Sequence, residues 1–146
     1  MRALIQRCKA AHVSIEGEIV GQIEHGLVVL LGLGRDDTLD KGKKLLDKIL
    51  KYRVFTDEYG KMGCSVQQVS GGVLLISQFT LYAQTQKGLR PDFAPAMPPI
   101  AAEQLYQQLV DYLKSQYEPV ATGIFAADMQ VQLINDGPVT FMLEVE

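Results

Sequence analysis

Two short segments carry the side chains and backbone groups most suited to binding or catalysis. They are 77–82 (Ser-Gln-Phe-Thr-Leu-Tyr) and 135–140 (Asn-Asp-Gly-Pro-Val-Thr). An X-Pro peptide bond is the one kind that adopts the cis form at modest cost. Glycine before proline has no Cβ to clash with the ring. The pair Gly137 and Pro138, at the tip of a predicted hairpin, can therefore present fixed backbone carbonyls to a ligand. A plain turn is the simpler interpretation of these residues taken alone.

Thr80 is the candidate nucleophile, because it is predicted to end a buried strand over 73–79. A threonine hydroxyl needs a base, and none stands beside it in sequence. An ordinary β-branched strand residue explains Thr80 equally well. Alternation along a strand would place Gln78 with Thr80 on one face, and Ser77 with Phe79 on the other. Hydrogen bonding by Ser77 or Thr80 stays open, as does polarisation of a carbonyl by backbone N–H groups at this strand end.

A long loop is predicted over 83–99, because glycine and proline are too frequent there for a regular element. Loops of this length are usually functional or disordered. Lys87 and Arg90 within it could clamp a phosphate, although such a pair is more often simply solvated. Phe125 could stack on a nucleic-acid base, and its default interpretation is a core residue.

Motifs for several catalytic classes are missing from the sequence. It has no GxSxG elbow, no Walker loop and no HExxH. His12 and His25 stand in no motif, and Cys8 and Cys64 have neither CxxC nor metal-ligand spacing. We therefore expect no metal and no cofactor, and two free thiols in a reducing, cytoplasmic compartment.

Composition predicts a globular protein without a membrane segment. The longest apolar run, 27–31, is far too short to cross a bilayer, and the first residues lack the features of a signal peptide. The formal net charge of −3 argues against indiscriminate nucleic-acid binding, while a local basic patch is compatible with it.

Periodicity and turn signals predict a single domain over 1–146, of mixed α/β class with a largely antiparallel sheet and two main helices. Thr38 is a typical N-cap for the first helix, and Gly42 weakens the start of that helix. The helices are predicted over 39–52 and 101–114, and the strands over 12–16, 19–23, 26–33, 54–55, 64–69, 73–79, 129–134 and 139–145.

Several segments together resemble the D-aminoacyl-tRNA deacylases. Ala3–Arg7, Tyr52–Phe55 and Gly60–Met62 are similar to that family, and Gly63 and Asp92 replace an asparagine and a serine that are usual in bacterial members. The most specific matches stand in the family's order: 77–81, 87–91 (Lys-Gly-Leu-Arg-Pro), 125–129 (Phe-Ala-Ala-Asp-Met) and 135–140.

The resemblance implies a barrel-like fold and an editing hydrolase that cleaves the ester joining a D-amino acid, or glycine, to the terminal adenosine of tRNA. It implies a homodimer with active sites at the subunit interface. Gly137–Pro138, cis in the family, would reach into the partner's pocket and exclude L side chains, which is selection by steric rejection.

The resemblance also assigns roles to individual residues. A hydroxyl of the terminal ribose would take part in the reaction, so that the protein contributes positioning and backbone N–H groups along the catalytic segment Ser77–Thr80. Phe125 would lie against adenine and Met129 near the aminoacyl group, while Lys87 and Arg90 would contact the tRNA. Two alternatives stay open: an esterase that uses Thr80 on small esters, and an RNA-binding module without hydrolysis.

Overall fold

A long antiparallel hairpin organises the sheet. The computed structural model describes residues 1–146 and places β1 over Arg2–Ile15, β2 over Glu18–Ile23 and β3 over Gly26–Gly32. β2 and β3 pair with the same edge of β1, and the register does not change where β2 gives way to β3. The elements that follow are α1 (Leu39–Lys51), β4 (Phe55–Thr56), β5 (Met62–Cys64), β6 (Gly72–Ser77), a 3-10 turn (Phe79–Tyr82), α2 (Pro99–Gln116), β7 (Val120–Thr122) and β8 (Gln130–Glu144).

Two parallel strands extend the sheet and bend it back on itself. β6 pairs in parallel with β3, and β7 pairs in parallel with β6. β7 then meets β2, where a Cβ added at Gly21 would lie 2.5 Å from the carbonyl oxygen of Thr122. The predicted mixed fold with a barrel-like core and two helices is confirmed. The three pairings of β1, with β2, β3 and β8, are all antiparallel.

The two helices pack against each other and over the barrel. Thr38 caps α1 as predicted, since its hydroxyl accepts a hydrogen bond from the backbone N–H of Lys41. Helix packing explains the glycine at position 42, because a Cβ there would lie 2.3 Å from a methyl carbon of Leu109 in α2. Glycine is unfavourable inside a helix by roughly 1 kcal/mol, and here it permits the close approach of α1 to α2. Neither helix is long and apolar enough to cross a membrane.

The predicted hairpin at 135–140 is wrong. β8 is one strand that pairs along β1 on both sides of this segment, with Asn135 opposite Cys8 and Thr140 opposite Gln6. Residues 136–139 therefore stand opposite a single residue, Arg7, and form a large bulge. The two alternating runs face one partner because β1 is long enough to pair with both.

Two further expectations about strands need correction. β6 ends at Ser77, and the 3-10 turn that follows removes the predicted strand alternation from Gln78 to Thr80. The predicted strand over 64–69 is instead the short β5 followed by a turn, with the backbone N–H of Val69 bonded to the carbonyl of Ser65. Local turn chemistry overrides apolar patterning in both places.

Candidate functional site

A cavity of about 710 Å³ opens where β6 ends. One wall carries Ser77, Gln78 and Phe79, and another carries the segment Phe125–Met129. The first residues of α2 and the loop before it border the rest of the cavity. The structure thus brings together two groups of predicted site residues that lie almost fifty positions apart in the sequence. The first group is Ser77, Gln78 and Phe79, and the second is Phe125 and Met129.

The segment Ser77–Thr80 turns sharply at the cavity wall. The backbone N–H of Gln78 donates to the carbonyl of Leu31 at 2.7 Å, which ties the end of β6 to β3. The first hydrogen bond of the 3-10 turn runs from the N–H of Leu81 to the carbonyl of Gln78. The N–H groups of Phe79 and Thr80 precede that bond and have no carbonyl partner within the turn. They are free to donate to a ligand.

Thr80 is exposed, and its hydroxyl accepts a hydrogen bond from the Gln78 side-chain amide at 2.6 Å. The residue is absent from the cavity wall, and no histidine, lysine or carboxylate contacts its hydroxyl. A nucleophile needs such a base. In this structure the Thr80 hydroxyl therefore forms a hydrogen bond within the turn and has no base to activate it.

Arg2 of β1 contacts this turn through Leu81 and Tyr82. The Arg2 guanidinium donates to the carbonyl of Leu81 at 2.9 Å and lies 4.5 Å from the centre of the Tyr82 ring. Burial, reinforced by the neighbouring Asp37 carboxylate, raises the pKa of Tyr82 to about 12. The Tyr82 hydroxyl is thus neutral and serves as a donor to Asp37. These contacts hold the 3-10 turn over Phe79–Tyr82 against the barrel.

Phe125 rests on a buried aromatic neighbour. Its ring centre lies 5.8 Å from that of Tyr106, whose hydroxyl donates to the carbonyl of Leu75 at 3.0 Å. Burial raises the pKa of Tyr106, so this hydroxyl is a permanent donor. Gly123 leaves room for Met129, because a Cβ there would lie 2.5 Å from the methionine sulfur. Phe125 and Met129 are accordingly packed apolar parts of this wall.

Gly137 and Pro138 form an exposed corner on the bulge of β8, and the peptide bond between them is cis. Gly137 has φ +143°, and a Cβ there would lie 2.6 Å from a methyl carbon of Val139 and 3.2 Å from an Arg7 nitrogen. A side chain at position 137 is therefore disfavoured both by the backbone and by its neighbours.

Side chains on both flanks fix the corner. Arg7, only 11% exposed, donates to the carbonyl of Asp136 at 2.9 Å and to that of Val54 at 2.8 Å, and its guanidinium lies 3.6 Å from the Asp136 carboxylate. The Asn135 side chain accepts from the N–H of Val139 at 2.7 Å and donates to the Thr140 hydroxyl at 3.0 Å. The segment predicted as a turn is therefore a braced structure.

This corner is remote from the cavity of its own chain. The bulge stands opposite Arg7, which pairs with Leu27, whereas the cavity begins at Ser77, which pairs with Leu31. Four residues of strand separate these positions, about 13 Å at the rise of a β-strand. Neither Gly137 nor Pro138 lines the cavity. Within one chain the segments 77–81 and 135–140 therefore stay apart.

The family described as D-Tyr-tRNA(Tyr) deacylase matches residues 4–144. The chain belongs to the D-Tyr-tRNA(Tyr) deacylase family. It is 68% identical over 146 residues to the D-aminoacyl-tRNA deacylase of Acinetobacter baumannii strain AYE, covering 100% of this chain and 99% of that one. It is 69% identical over 145 residues to that of Acinetobacter baylyi, with 99% of each covered. The family and the hydrolase class expected from the sequence are confirmed.

Two solved structures resemble this chain along its whole length. One is the c-Myc DNA Unwinding Element Binding Protein, with TM-score 0.95 and 42% identity, over 100% of this chain and 99% of that one. The other is described as a probable eukaryotic D-amino acid tRNA deacylase, with TM-score 0.84 and 15% identity, over 99% and 98%. The second likeness shows a shared fold alone.

Lys87 and Arg90 lie outside the main cavity, on the exposed loop. Backbone hydrogen bonds in both directions between Gln84 and Asp92, at 2.7 and 3.1 Å, close this loop at its base. Lys87 lines a separate polar cavity of about 590 Å³ that also contains Arg2. A phosphate-contacting role for Lys87 and Arg90 stays a prediction.

Both departures from the usual bacterial pattern have local explanations. The Asp92 carboxylate accepts a hydrogen bond from the N–H of Ala94 at 3.0 Å, a turn contact that a serine hydroxyl can also make. A Cβ at Gly63 would lie 2.0 Å from the Asp57 carboxylate, which accepts from the N–H groups of Tyr59 and Lys61. Glycine at 63 thus accommodates the carboxylate that orders this turn.

Sequence reasoning missed Arg7 and Arg35. Arg7 lies in the family-like segment 3–7, so that match was a usable signal, but an arginine in a strand suggested no chemistry without its partners. Arg35 lines the main cavity and stands in no recognised motif. The histidines lie elsewhere, since His12 and His25 line a different cavity. Burial raises the pKa of the Cys8 thiol to about 11, which makes it unreactive.

Proposed function

We propose that this protein, acting as one domain over 1–146, hydrolyses the ester between a D-amino acid and the terminal adenosine of tRNA, releasing the free amino acid and tRNA. One observation carries the proposal. A largely apolar cavity begins at Ser77–Phe79, beside the unpaired backbone N–H groups of Phe79 and Thr80, while side-chain contacts hold the Gly137–Pro138 corner away from that cavity. Such a pair of features suits a site that senses the shape of a substrate and contributes no reactive side chain.

Catalysis in this proposal depends on positioning and on electrostatic stabilisation. The N–H groups of Phe79 and Thr80 would donate to the ester oxygen as negative charge develops on it, and donors preorganised in this way are worth 10²–10³-fold or so in rate. A hydroxyl of the terminal ribose would assist the reaction. Family membership supports this division of labour, as does the lack of a base beside Thr80. Phe125 would pack against the adenine, and Met129 would lie by the aminoacyl group.

Selection by handedness would come from the backbone of Gly137 and Pro138 of a partner subunit. Their carbonyls would occupy the space that an L side chain needs, while a hydrogen at that position fits. Glycyl-tRNA would be accepted for the same reason, since it has no side chain to reject. The contacts of Arg7 and Asn135 support this role, because steric rejection requires that the backbone of the corner keep its position when a side chain presses against it.

A homodimer would supply that partner. β8 pairs only with β1, so its other edge is free over a strand of fifteen residues. An edge this long is normally covered or paired. Large apolar side chains are exposed along it, and Val131 also lines the cavity, so the free edge adjoins the site. The exposed apolar residues of β8 are Val131, Ile134, Phe141 and Met142.

We place the enzyme in the cytoplasm, where aminoacyl-tRNA is used. The free cysteines, Cys8 buried and Cys64 half-buried, fit a reducing compartment. Lys87 and Arg90 would contact phosphates of the tRNA. With a net charge of −3, such contacts have to be local, since general phosphate neutralisation needs an excess of cations.

The direct test compares D-Tyr-tRNA with L-Tyr-tRNA under single-turnover conditions. We expect rapid deacylation of the D ester and a rate on the L ester at least about 10³-fold lower, because rejecting a misplaced side chain is worth roughly 4 kcal/mol. Release of labelled tyrosine measures both rates. Equal rates on the two esters would refute stereochemical editing.

A second test separates this mechanism from an esterase that uses Thr80. Thr80→Ala is expected to keep activity within about tenfold of wild type, because it removes one exposed hydrogen bond and keeps the backbone N–H. Thr80→Ser is the matched control. Complete loss in the alanine variant, with rapid hydrolysis of a short D-amino-acid ester by the wild type, would establish the nucleophile instead.

A further inference from the structure

The mouth of the main cavity carries one cation, Arg35, beside an exposed pair of aromatic rings. The ring centres of Phe79 and Phe93 lie 4.9 Å apart, and the side chains are 54% and 38% exposed. All three residues line the cavity. An exposed cation next to exposed aromatic faces is the combination with which proteins hold single-stranded nucleic acid, through phosphate contact and base stacking.

Arg35 is held in place and is still available. Its Nε donates to the carbonyl of Ala94, so the guanidinium is tied to the residue that follows Phe93. The terminal nitrogens make no ion pair within the chain, whose ion pairs involve Asp37, Glu144 and Asp136 with other cations. They are therefore free to bind an oxyanion in the forked geometry that suits phosphate.

The backbone around Arg35 is equally well fixed. The N–H of Arg35 donates to the carbonyl of Pro95 at 3.1 Å, and the N–H of Met97 donates to the carbonyl of Leu33 at 2.9 Å. Gly34 and Ala96 thus form an antiparallel bridge at the rim, which hydrogen bonds within the chain hold in place. Preorganisation of this kind lowers the entropy lost on binding.

We propose that Arg35 and Phe93 form a subsite for the nucleotide that precedes the terminal adenosine, with the Arg35 guanidinium on the phosphate joining the two and the Phe93 ring against the preceding base. The inference depends on the proposed function, which places the terminal adenosine in the cavity. The RNA must then leave through the mouth, past Arg35. The acidic lining residue, Asp128, lies in the segment of Phe125 and Met129 and repels a phosphate from that wall.

Three D-tyrosyl esters of increasing length test the subsite: D-Tyr-adenosine, the same ester of adenosine 5′-phosphate, and D-Tyr-tRNA. We expect Arg35→Gln to raise KM about tenfold for the two phosphate-bearing substrates, the usual effect of one charge-assisted contact. KM for D-Tyr-adenosine and kcat for all three should stay unchanged. Phe93→Ala should raise KM only for D-Tyr-tRNA, the one substrate with a preceding base.

Salt dependence adds a readout that a structural role would not change. Loss of one phosphate contact should lower the slope of log KM against log salt by about 0.7 for D-Tyr-tRNA. Arg35→Lys should keep that slope, because it keeps the charge. Lys114→Gln, which removes an exposed charge at the end of α2, is the matched control and should leave KM unchanged for all three substrates.

The outcomes are distinct. A rise in KM confined to phosphate-bearing substrates supports the subsite. An equal rise for D-Tyr-adenosine, or none for any substrate, overturns it and leaves the deacylase proposal intact. Failure of the wild type to hydrolyse any of the three D esters overturns the proposed function, and the subsite with it.

Discussion

Two inactive variants should restore each other's activity when their subunits are exchanged. Gly137→Ala is expected to lose at least about 10²-fold in activity, because φ +143° and contacts to Val139 and Arg7 exclude a Cβ. Ala127→Trp should be equally inactive, since an indole would occupy the cavity that Ala127 lines. After dissociation and reassociation of an equal mixture, deacylation of D-Tyr-tRNA should return to about a quarter of the wild-type rate.

The fraction follows from the proposed geometry. Random pairing makes half of the dimers mixed, and each mixed dimer contains one site with both an intact corner and an intact cavity. The matched control is the double variant, Gly137→Ala with Ala127→Trp, mixed with an equal amount of wild type. Its mixed dimers have no intact site, so wild-type activity should fall by about half. A mixture of single variants that stays inactive although its subunits exchange would exclude the cross-subunit site.

Arg7→Met should reduce D-Tyr-tRNA deacylation by about 10²-fold. The substitution removes the donors to the partly buried carbonyls of Asp136 and Val54, and loss of a hydrogen bond from a charged donor costs about 1.5–3 kcal/mol. A loosened corner should also discriminate less, so the ratio of D to L rates should fall. Single-turnover rates on D-Tyr-tRNA and L-Tyr-tRNA measure both effects.

The comparison variant for Arg7 is Lys9→Met, which removes an exposed cation from the same strand. It should leave both rates unchanged. Thermal unfolding of each protein separates loss of the corner from loss of the fold. If Arg7→Met unfolds near the wild-type temperature and keeps its full D-to-L ratio, the corner does not need this brace.

Much of the architecture could be read from local patterns. Thr38 and the apolar stripe predicted α1 because a cap and a helical period act within a few residues. The buried run of β3 and the breaker-rich loop before α2 were predicted for the same reason. The sequence did not predict β7. This strand has only three residues and pairs with β6, which is distant in sequence, so it leaves no periodic signal.

At the candidate site, too, local sequence patterns predicted some features and long-range contacts decided others. The sequence by itself determined the family, because 77–81, 125–129 and 135–140 are specific in residue type and order. Only the tertiary structure decided that 135–140 is a braced bulge on one strand, since the partner that stretches it, β1, begins more than a hundred residues earlier. It also decided that Arg7 supports the corner and that Arg35 stands at the cavity mouth. A guanidinium obtains its role from the carbonyls, rings and charges that folding brings to it, and those contacts are non-local.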